Sequence, residues 1–159
     1  MVQKISMGGM TFMKMVVNGF DGYSEGRGMT KDLSPMEISD AKVDAAPFSE
    51  LNYFNTEQYN SVKLAGVENV NEEDAYRMDL IRTDGASITE YYSIATSLKL
   101  RKVVTGEQGI VTLDYEVYKD FEGIKLPTIV KVSGMMPTPI EQNIKSVVIN
   151  PENAGDLFK

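Results

Sequence analysis

Alternation of hydrophobic and polar residues runs through most of this chain and is most regular between residues 74 and 105. In residues 76–80, YRMDL, the Tyr, Met and Leu alternate with Arg and Asp, which is the period-two pattern of a strand with one face on a core and one in water. Asp84 and Gly85 predict a turn, because glycine tolerates positive φ and aspartate can bond its own backbone. Two further apolar rows follow, at residues 88–94 and 98–104. The stretch therefore predicts three antiparallel strands in succession.

The rest of the chain extends this meander on both sides. Glycine-rich residues 18–22 predict a hairpin, and residues 71–74, NEED, predict an acidic turn. Gly66 indicates a bulge within a long strand. Pro127 predicts a strand end or an edge, because proline cannot donate to a ladder. The further predicted strands span residues 1–7, 11–18, 23–29, 59–70, 110–121, 126–133 and 140–150.

One helical segment interrupts the strands. Residues 34–37, SPME, form a capping box in which Ser34 and Glu37 each satisfy a backbone N–H, and Pro35 stands where its missing N–H costs nothing. Pro47 ends or kinks this helix. A second short helical turn, residues 47–54, places three apolar side chains on one side, and we expect them to cover a sheet.

The composition excludes several kinds of chemistry. The 159 residues contain neither histidine nor cysteine, which excludes Ser-His-Asp catalysis, histidine-based zinc motifs, disulfides and thiolate metal sites. The net charge of −7 disfavours nucleic acid as a partner. Residues 72–74, EED, lack the alternating spacing of a calcium loop, and GRG at residues 26–28 lacks the helix of a phosphate site. No apolar run approaches the length of a membrane span. We therefore predict no metal, no cofactor and no transmembrane segment.

A family resemblance is carried by residues spread over nearly the whole chain. They are Phe48-Ser49-Glu50-Leu51, Ala75-Tyr76, Glu90-Tyr91-Tyr92 followed by Thr96 and Leu98, and Gly123-Ile124-Lys125-Leu126-Pro127. With them the chain resembles a family of exported Bacteroidetes domains with the fold of LolA, the outer-membrane lipoprotein carrier. Some of these domains are similar to C-terminal segments of insulinase-type zinc peptidases. The chain departs from the family at Glu72, Ser93 and Ser97, which stand where the family has turn residues.

The resemblance implies an α+β fold that is mainly β. Its centre is a strongly curved antiparallel sheet, an incomplete β-barrel, whose concave side is covered by the helical segment of residues 34–54. It implies a single LolA-like domain, residues 1–159, that lacks the N-terminal helix and first strands of full-length members. It also implies a periplasmic or outer-membrane-associated location, although the chain starts with no signal peptide. In the lipoprotein carriers the concave space accepts acyl chains.

Three functions from different classes agree with these features. The first is a non-catalytic envelope module that carries or senses a lipid, a lipoprotein acyl chain or another apolar ligand. The second is a structural or docking domain of a larger envelope protein of the zinc-peptidase type, with no ligand of its own. The third is a hydrolase that uses Glu90 beside Tyr91 and Tyr92, or Asp114 with Glu116. Neighbours in a strand point to opposite faces, and each carboxylate is more simply interpreted as solvated, so we predict that the chain is not an enzyme.

The predicted ligand cavity follows from strand parity. A curved sheet must aim one face inward, and apolar side chains of the helical segment would close it as a lid. Ten methionines support this interpretation, because flexible thioethers line adaptable pockets. The predicted cavity residues are Met13, Met15, Phe48, Leu51, Phe54, Tyr76, Met78, Leu80, Leu113 and Tyr115. The exposed edge of the N-terminal strands further predicts a homodimer through residues 1–17.

Overall fold

The computed structural model describes residues 2–7, 10–26, 28–35, 37–38, 41, 49–54, 56–83, 85–106 and 109–147. These residues form antiparallel β-structure with little helix, which confirms the predicted fold class. The chain divides into two compact units, residues 1–51 with residues 150–159, and residues 52–149. None of the described residues belongs to a helix that is long and apolar enough to cross a membrane.

The first unit contains a four-stranded antiparallel sheet in sequence order. Its strands are β1 (Val2–Met7), β2 (Met10–Asn18), β3 (Asp21–Gly26) and β4 (Met29–Asp32). The prediction of one strand over residues 23–29 was wrong, because the glycines make a turn and not a bulge. Gly28 has φ 77°, and Gly26 pairs with Met29 across a tight hairpin.

The predicted capping box opens the helical segment that follows β4. Glu37 Oε2 accepts from the Ser34 backbone N–H at 2.8 Å, and Ser34 Oγ accepts from the Glu37 N–H at 3.2 Å. The Lys31 ammonium donates to Glu37 Oε1 at 2.7 Å. The hydrogen bond from Lys31, helped by the bonds from Ser34, lowers the pKa of Glu37 from 4.5 to about 2. Ile38, one turn into the helix, is buried.

The second unit contains a seven-stranded meander in which each strand pairs with the next in sequence. Its strands are β5 (Tyr59–Val70), β6 (Glu73–Arg82), β7 (Ser87–Ser93), β8 (Lys99–Gly106), β9 (Gly109–Phe121), β10 (Ile124–Ser133) and β11 (Ile140–Asn143). The outer strands β5 and β11 do not pair with each other, so the sheet is not closed into a barrel. The last strand is shorter than the predicted span of residues 140–150, whose final three residues lie outside the described part.

Turns with positive φ set the register of this sheet. Asn71 and Glu72 have φ 51° and 68°, the pattern of a two-residue type I′ hairpin turn. The predicted bulge is confirmed at Gly66, where φ is 147° and the pairing with β6 shifts. Pro127 lies inside β10, opposite Tyr118, and not at its end. β11 pairs only with residues 129–132 of β10, so no described strand pairs with Pro127 on that side. A proline is tolerated there, as it is in an edge strand.

The register divides the side chains of the seven-stranded sheet between two unlike faces. The apolar face carries Val62, Met78, Leu80, Ile88, Val104, Leu113, Val130 and Val132. The ionic face carries Glu68, Arg77, Asp79, Tyr91, Arg101, Asp114, Glu116 and Lys131. On the ionic face, Arg77 bonds Glu68 of the neighbouring strand at 2.7 Å and Asp79 of its own strand at 2.8 Å. On the apolar face, Leu80 and Ile88 pack with Tyr59 as a buried cluster.

Candidate ligand-binding site

Five predicted cavity residues lie on one face of the seven-stranded sheet. Met78 of β6 and Leu113 of β9 are aligned across the sheet, with one residue each of β7 and β8 between them. Tyr76 and Leu80 flank Met78 on the same face of β6, and Tyr115 lies two residues beyond Leu113. Strand parity therefore identified residues that share the apolar face.

The other predicted cavity residues are placed differently. Met13 and Met15 are half-buried in β2 of the first unit. Phe48 lies outside the described residues. A 3₁₀ helix spans Ser49–Asn52, but Leu51 is 81% exposed and Phe54 is 95% exposed. Neither side chain is packed in a core, so neither acts as the predicted lid.

Tyr53, which the sequence did not single out, covers part of the apolar face. Its ring meets the ring of Tyr59 edge to face, with centroids 6.1 Å apart, and packs against the cluster of Leu80 and Ile88. The phenol reaches further across the sheet and donates to Glu90 Oε2. An amphipathic tyrosine suits this position, because its body is apolar while its hydroxyl needs a partner when buried.

Glu90 is a buried carboxylate in the middle of the apolar face. Only 2% of the residue is exposed, so its interpretation as a solvated strand residue was wrong. Its Oε1 accepts from the Lys99 ammonium at 3.0 Å, and its Oε2 accepts from the Tyr92 hydroxyl at 2.7 Å as well as from Tyr53. Burial, reinforced by the negative charge of Glu90, raises the pKa of Tyr92 well above its ordinary value. These four residues, Tyr53, Glu90, Tyr92 and Lys99, form what we call the buried polar cluster.

Aromatic rings hold Lys99 in place. Its ammonium lies 5.4 Å from the centre of the Tyr92 ring and 5.9 Å from that of Tyr115, both within cation–π range. The Tyr118 hydroxyl donates to the Lys99 backbone carbonyl at 2.7 Å. The side chain is only 12% exposed, so Lys99 is committed to Glu90 and is not available as a freely solvated cation.

A cleft of about 360 Å³ lies beside this cluster. The turn between β5 and β6, the connection between β7 and β8, and the second half of β9 surround it. Its lining residues are Val70, Asn71, Glu73, Thr96, Leu98, Leu100, Tyr115, Glu116, Val117 and Tyr118. Tyr115 belongs both to the cleft wall and to the rings around Lys99, so the cleft and the buried polar cluster meet at one side chain.

One wall of the cleft has a strained backbone. Val117 has φ 52°, in the left-handed region that β-branched residues rarely adopt. The Thr128 hydroxyl holds this segment by donating to the Val117 carbonyl at 2.6 Å. Such conformations cost about 1–3 kcal/mol and tend to occur at binding sites.

The carboxylates considered as acid–base groups are each held by a cation, Glu90 by Lys99, Asp114 by Arg101 and Glu116 by Lys131. Tyr91 points to the ionic face and bonds Glu68, which leaves Tyr92 as the neighbour that bonds Glu90. Asp114 pairs with Arg101 on the ionic face. Within the described ranges, no three acidic side chains gather as metal ligands.

The alternation pattern of the sequence already indicates that Glu90, the centre of the buried polar cluster, faces the core. Glu90 stands two residues from Ile88 and two from Tyr92, so it shares their face and interrupts an apolar row. A charged residue in such a row is buried only with a partner. The partner, Lys99, comes from the next strand. It stands opposite Tyr92, and the register shift between Tyr91 and Tyr92 places it on the face of Glu90.

No protein-family model matches the chain, and no curated protein matches it in sequence. Several solved structures are similar to it in fold. A LolA superfamily protein from Nitrosomonas europaea has a TM-score of 0.55 and 15% identity, over 92% of this chain and 70% of that chain. A Vibrio parahaemolyticus domain, provisionally named as an outer membrane lipoprotein-sorting protein, has a TM-score of 0.53 and 15% identity over 92% and 71%.

A DUF1329 family protein from Desulfovibrio piger has a TM-score of 0.50 and 16% identity over 76% of this chain. The chain spans 57% of that protein. At these identities the similarity concerns the fold alone. The antiparallel meander, its open edges and these similarities together show a LolA-like fold.

Proposed function

We propose that this protein is a non-catalytic binding module that carries or senses an apolar chain, such as a lipid or lipoprotein acyl chain, in the bacterial cell envelope. The observation that carries the proposal is the cleft beside the buried polar cluster. The LolA-like fold supports it, because one similar structure is provisionally named for lipoprotein sorting. A periplasmic or outer-membrane-associated location belongs to the same proposal.

The size and walls of the cleft suit a chain better than a compact polar molecule. Its volume of about 360 Å³ lies at the lower end of the range of small-molecule sites, roughly 300–1,000 Å³. Leu98, Leu100 and the two tyrosines supply apolar and aromatic walls. Each buried methylene contributes about 0.8 kcal/mol, so several together are needed to exceed the cost of association.

The charges at the cleft favour a neutral ligand end. Glu73 and Glu116 both line it, Glu116 is already paired with Lys131, and no lysine or arginine is among the lining residues to bind a free carboxylate. An acyl chain in ester or amide linkage has no such charge. We therefore expect acylglycerols or acylated peptides to bind more tightly than free fatty acids of the same chain length.

The test combines extraction with titration. Lipid bound to the purified protein would be identified by mass spectrometry after solvent extraction, and the stripped protein would be titrated with a fluorescent acylglycerol. Leu98→Trp should weaken binding about tenfold or more, because the indole fills the cleft. Ile81→Trp is the matched control, since Ile81 is 45% exposed on β6 and does not line the cleft.

Two results would contradict the proposal: the absence of both bound lipid and saturable binding, or equal affinities for the Leu98→Trp and Ile81→Trp variants. The second candidate function, a docking domain of a larger envelope protein of the zinc-peptidase type, would then be preferred. Met135 and Met136 favour that candidate, because they are 68% and 58% exposed in the connection before β11.

A further inference from the structure

Strand β5 is the outer strand of the seven-stranded sheet and is unusually exposed. All seven residues from Lys63 to Asn69 are exposed, including Leu64 at 63% and Val67 at 55%. Within the described part of the chain, β6 alone pairs with it. A long exposed edge with apolar side chains is a template for another strand.

The bulge gives this edge a particular pattern of faces. Leu64 pairs with Met78 and Val67 pairs with Tyr76, so both side chains lie on the apolar face although they are three residues apart. Lys63 and Glu68, outside them, both lie on the ionic face. Ala65 is the extra residue that makes this possible, because the pairing shifts between Leu64 and Gly66.

We propose that β5 pairs antiparallel with β5 of a second copy of this chain, about a twofold axis next to Ala65. In this register Leu64 stands opposite the partner's Val67, and Lys63 stands opposite the partner's Glu68. Opposite residues of an antiparallel pair share a face, and this register matches faces on both sides of the bulge. The proposal does not rest on the proposed ligand.

The bulge selects a second copy over other strands. A regular strand placed against β5 would match faces on one side of Ala65 and mismatch them on the other, because a slip of one residue moves side chains to the opposite face. A strand with the same bulge restores the one-to-one match. The bulge therefore disfavours pairing of β5 with a regular strand and favours its pairing with β5 of a second copy.

The chemistry of the contact is complementary on both faces. On the apolar face, two Leu–Val pairs would lie side by side and cover side chains that are more than half exposed in the single chain. On the ionic face, two Lys–Glu pairs would form. Glu68, whose side chain is 46% exposed, already accepts from Arg77 and Tyr91, one at each oxygen, and each carboxylate oxygen has a further lone pair to accept from a second cation.

Sedimentation velocity over a concentration series tests the proposal. The protein should dimerise, and Lys63→Glu should weaken dimerisation about tenfold or more, because it places two like-charge pairs across the interface. Glu68→Lys should do the same. An equimolar mixture of the two variants should recover a dimer, because the introduced glutamate of one variant then meets the introduced lysine of the other, while the unchanged Lys63 and Glu68 still face each other.

Lys119→Glu is the matched control, because Lys119 is also an exposed lysine in a strand, on β9. It should leave the dimer unchanged. Since Glu68→Lys also removes a partner of Arg77, its folding would be checked by circular dichroism. If it does not fold, Leu64→Glu replaces it and should give a monomer.

Three results would overturn the proposal. They are a wild-type protein that stays monomeric at high concentration, a dimer that Lys63→Glu does not weaken, and a folded mixture that stays monomeric. The second result would favour association through the N-terminal strands. Lipid binding is measured separately, so the failure of either proposal is recognisable on its own.

Discussion

Replacing Lys99 by methionine should destabilise the protein far more than the same replacement of Lys131. The two ammonium groups make bonds of similar length, 3.0 Å to Glu90 and 2.9 Å to Glu116. They differ in burial, because the side chains of Lys99 and Glu90 are 12% and 3% exposed while those of Lys131 and Glu116 are 44% and 35% exposed. Methionine keeps the apolar stem and removes the charge, so the comparison reports on the ion pair together with the contacts of the Lys99 ammonium to the Tyr92 and Tyr115 rings.

Burial sets the expected magnitude. Removing Lys99 leaves the Glu90 carboxylate buried without its cation, and breaking a buried pair in this way costs about 3–5 kcal/mol. Tyr53 and Tyr92 continue to donate to Glu90, so we expect the lower end of that range. The exposed pair on the ionic face is screened by water, so the loss of Lys131 should be barely measurable.

A double variant separates the cost of an unpaired charge from the value of the pair. Glu90→Leu together with Lys99→Met removes both charges and should recover most of the stability lost in Lys99→Met, because an apolar replacement of a buried pair is often neutral. Urea unfolding followed by circular dichroism gives the free energies, and amide exchange in β7 localises the effect. Equal losses for the two lysine variants, or no recovery in the double variant, would refute the reasoning.

Four further predictions concern turns and the helix start. Gly134→Ala should lower the free energy of unfolding by more than about 2 kcal/mol in urea, because Gly134 has φ 93° and an added Cβ would lie 2.0 Å from the Ile110 carbonyl oxygen. Glu72→Gly should raise it by up to about 1 kcal/mol in the same assay, because the left-handed cost of a non-glycine residue exceeds the extra entropy that glycine loses. Ser34→Ala should lower it by about 1 kcal/mol at neutral pH. Since the pKa of Glu37 is lowered to about 2, its stabilisation is present above pH 4.5 and is lost as pH falls toward 2, and a Glu37→Gln variant should lack this part of the acid dependence in thermal melts.

Local patterns predicted most of the strand order, and their failures have a common physical origin. Alternation and turn residues predicted every strand from β5 to β10, because each pairs with its neighbour in sequence and needs no distant information. Residues 26–28 were ambiguous, because glycines permit either a bulge within one strand or a hairpin between two. The pairing of β4 with β3 selects the hairpin, and this pairing is known only from the folded chain.

The candidate site was less predictable for the same reason. Parity placed Tyr76, Met78 and Tyr115 on a shared face, but it could not say what covers that face. Among the residues described near the end of the helical segment, Tyr53 docks on the sheet while Phe54 is exposed. Which of these two neighbouring side chains faces the sheet depends on the backbone conformation where the chain leaves the 3₁₀ helix. The spacing of apolar residues does not encode that conformation.

The features of this sheet that cost stability lie close together. A buried ion pair is often no better than an apolar pair of the same volume, and a valine in the left-handed region is worse than a glycine. Glu90 and Lys99 meet the cleft through Tyr115, and Val117 forms part of its wall. Sequences that specify a fold tend to break its local rules at functional sites. A passive docking domain gives no reason for these costs to gather around one cleft, whereas a binding site needs walls of fixed shape and a polar group held in place beside them, and the coincidence therefore favours a ligand.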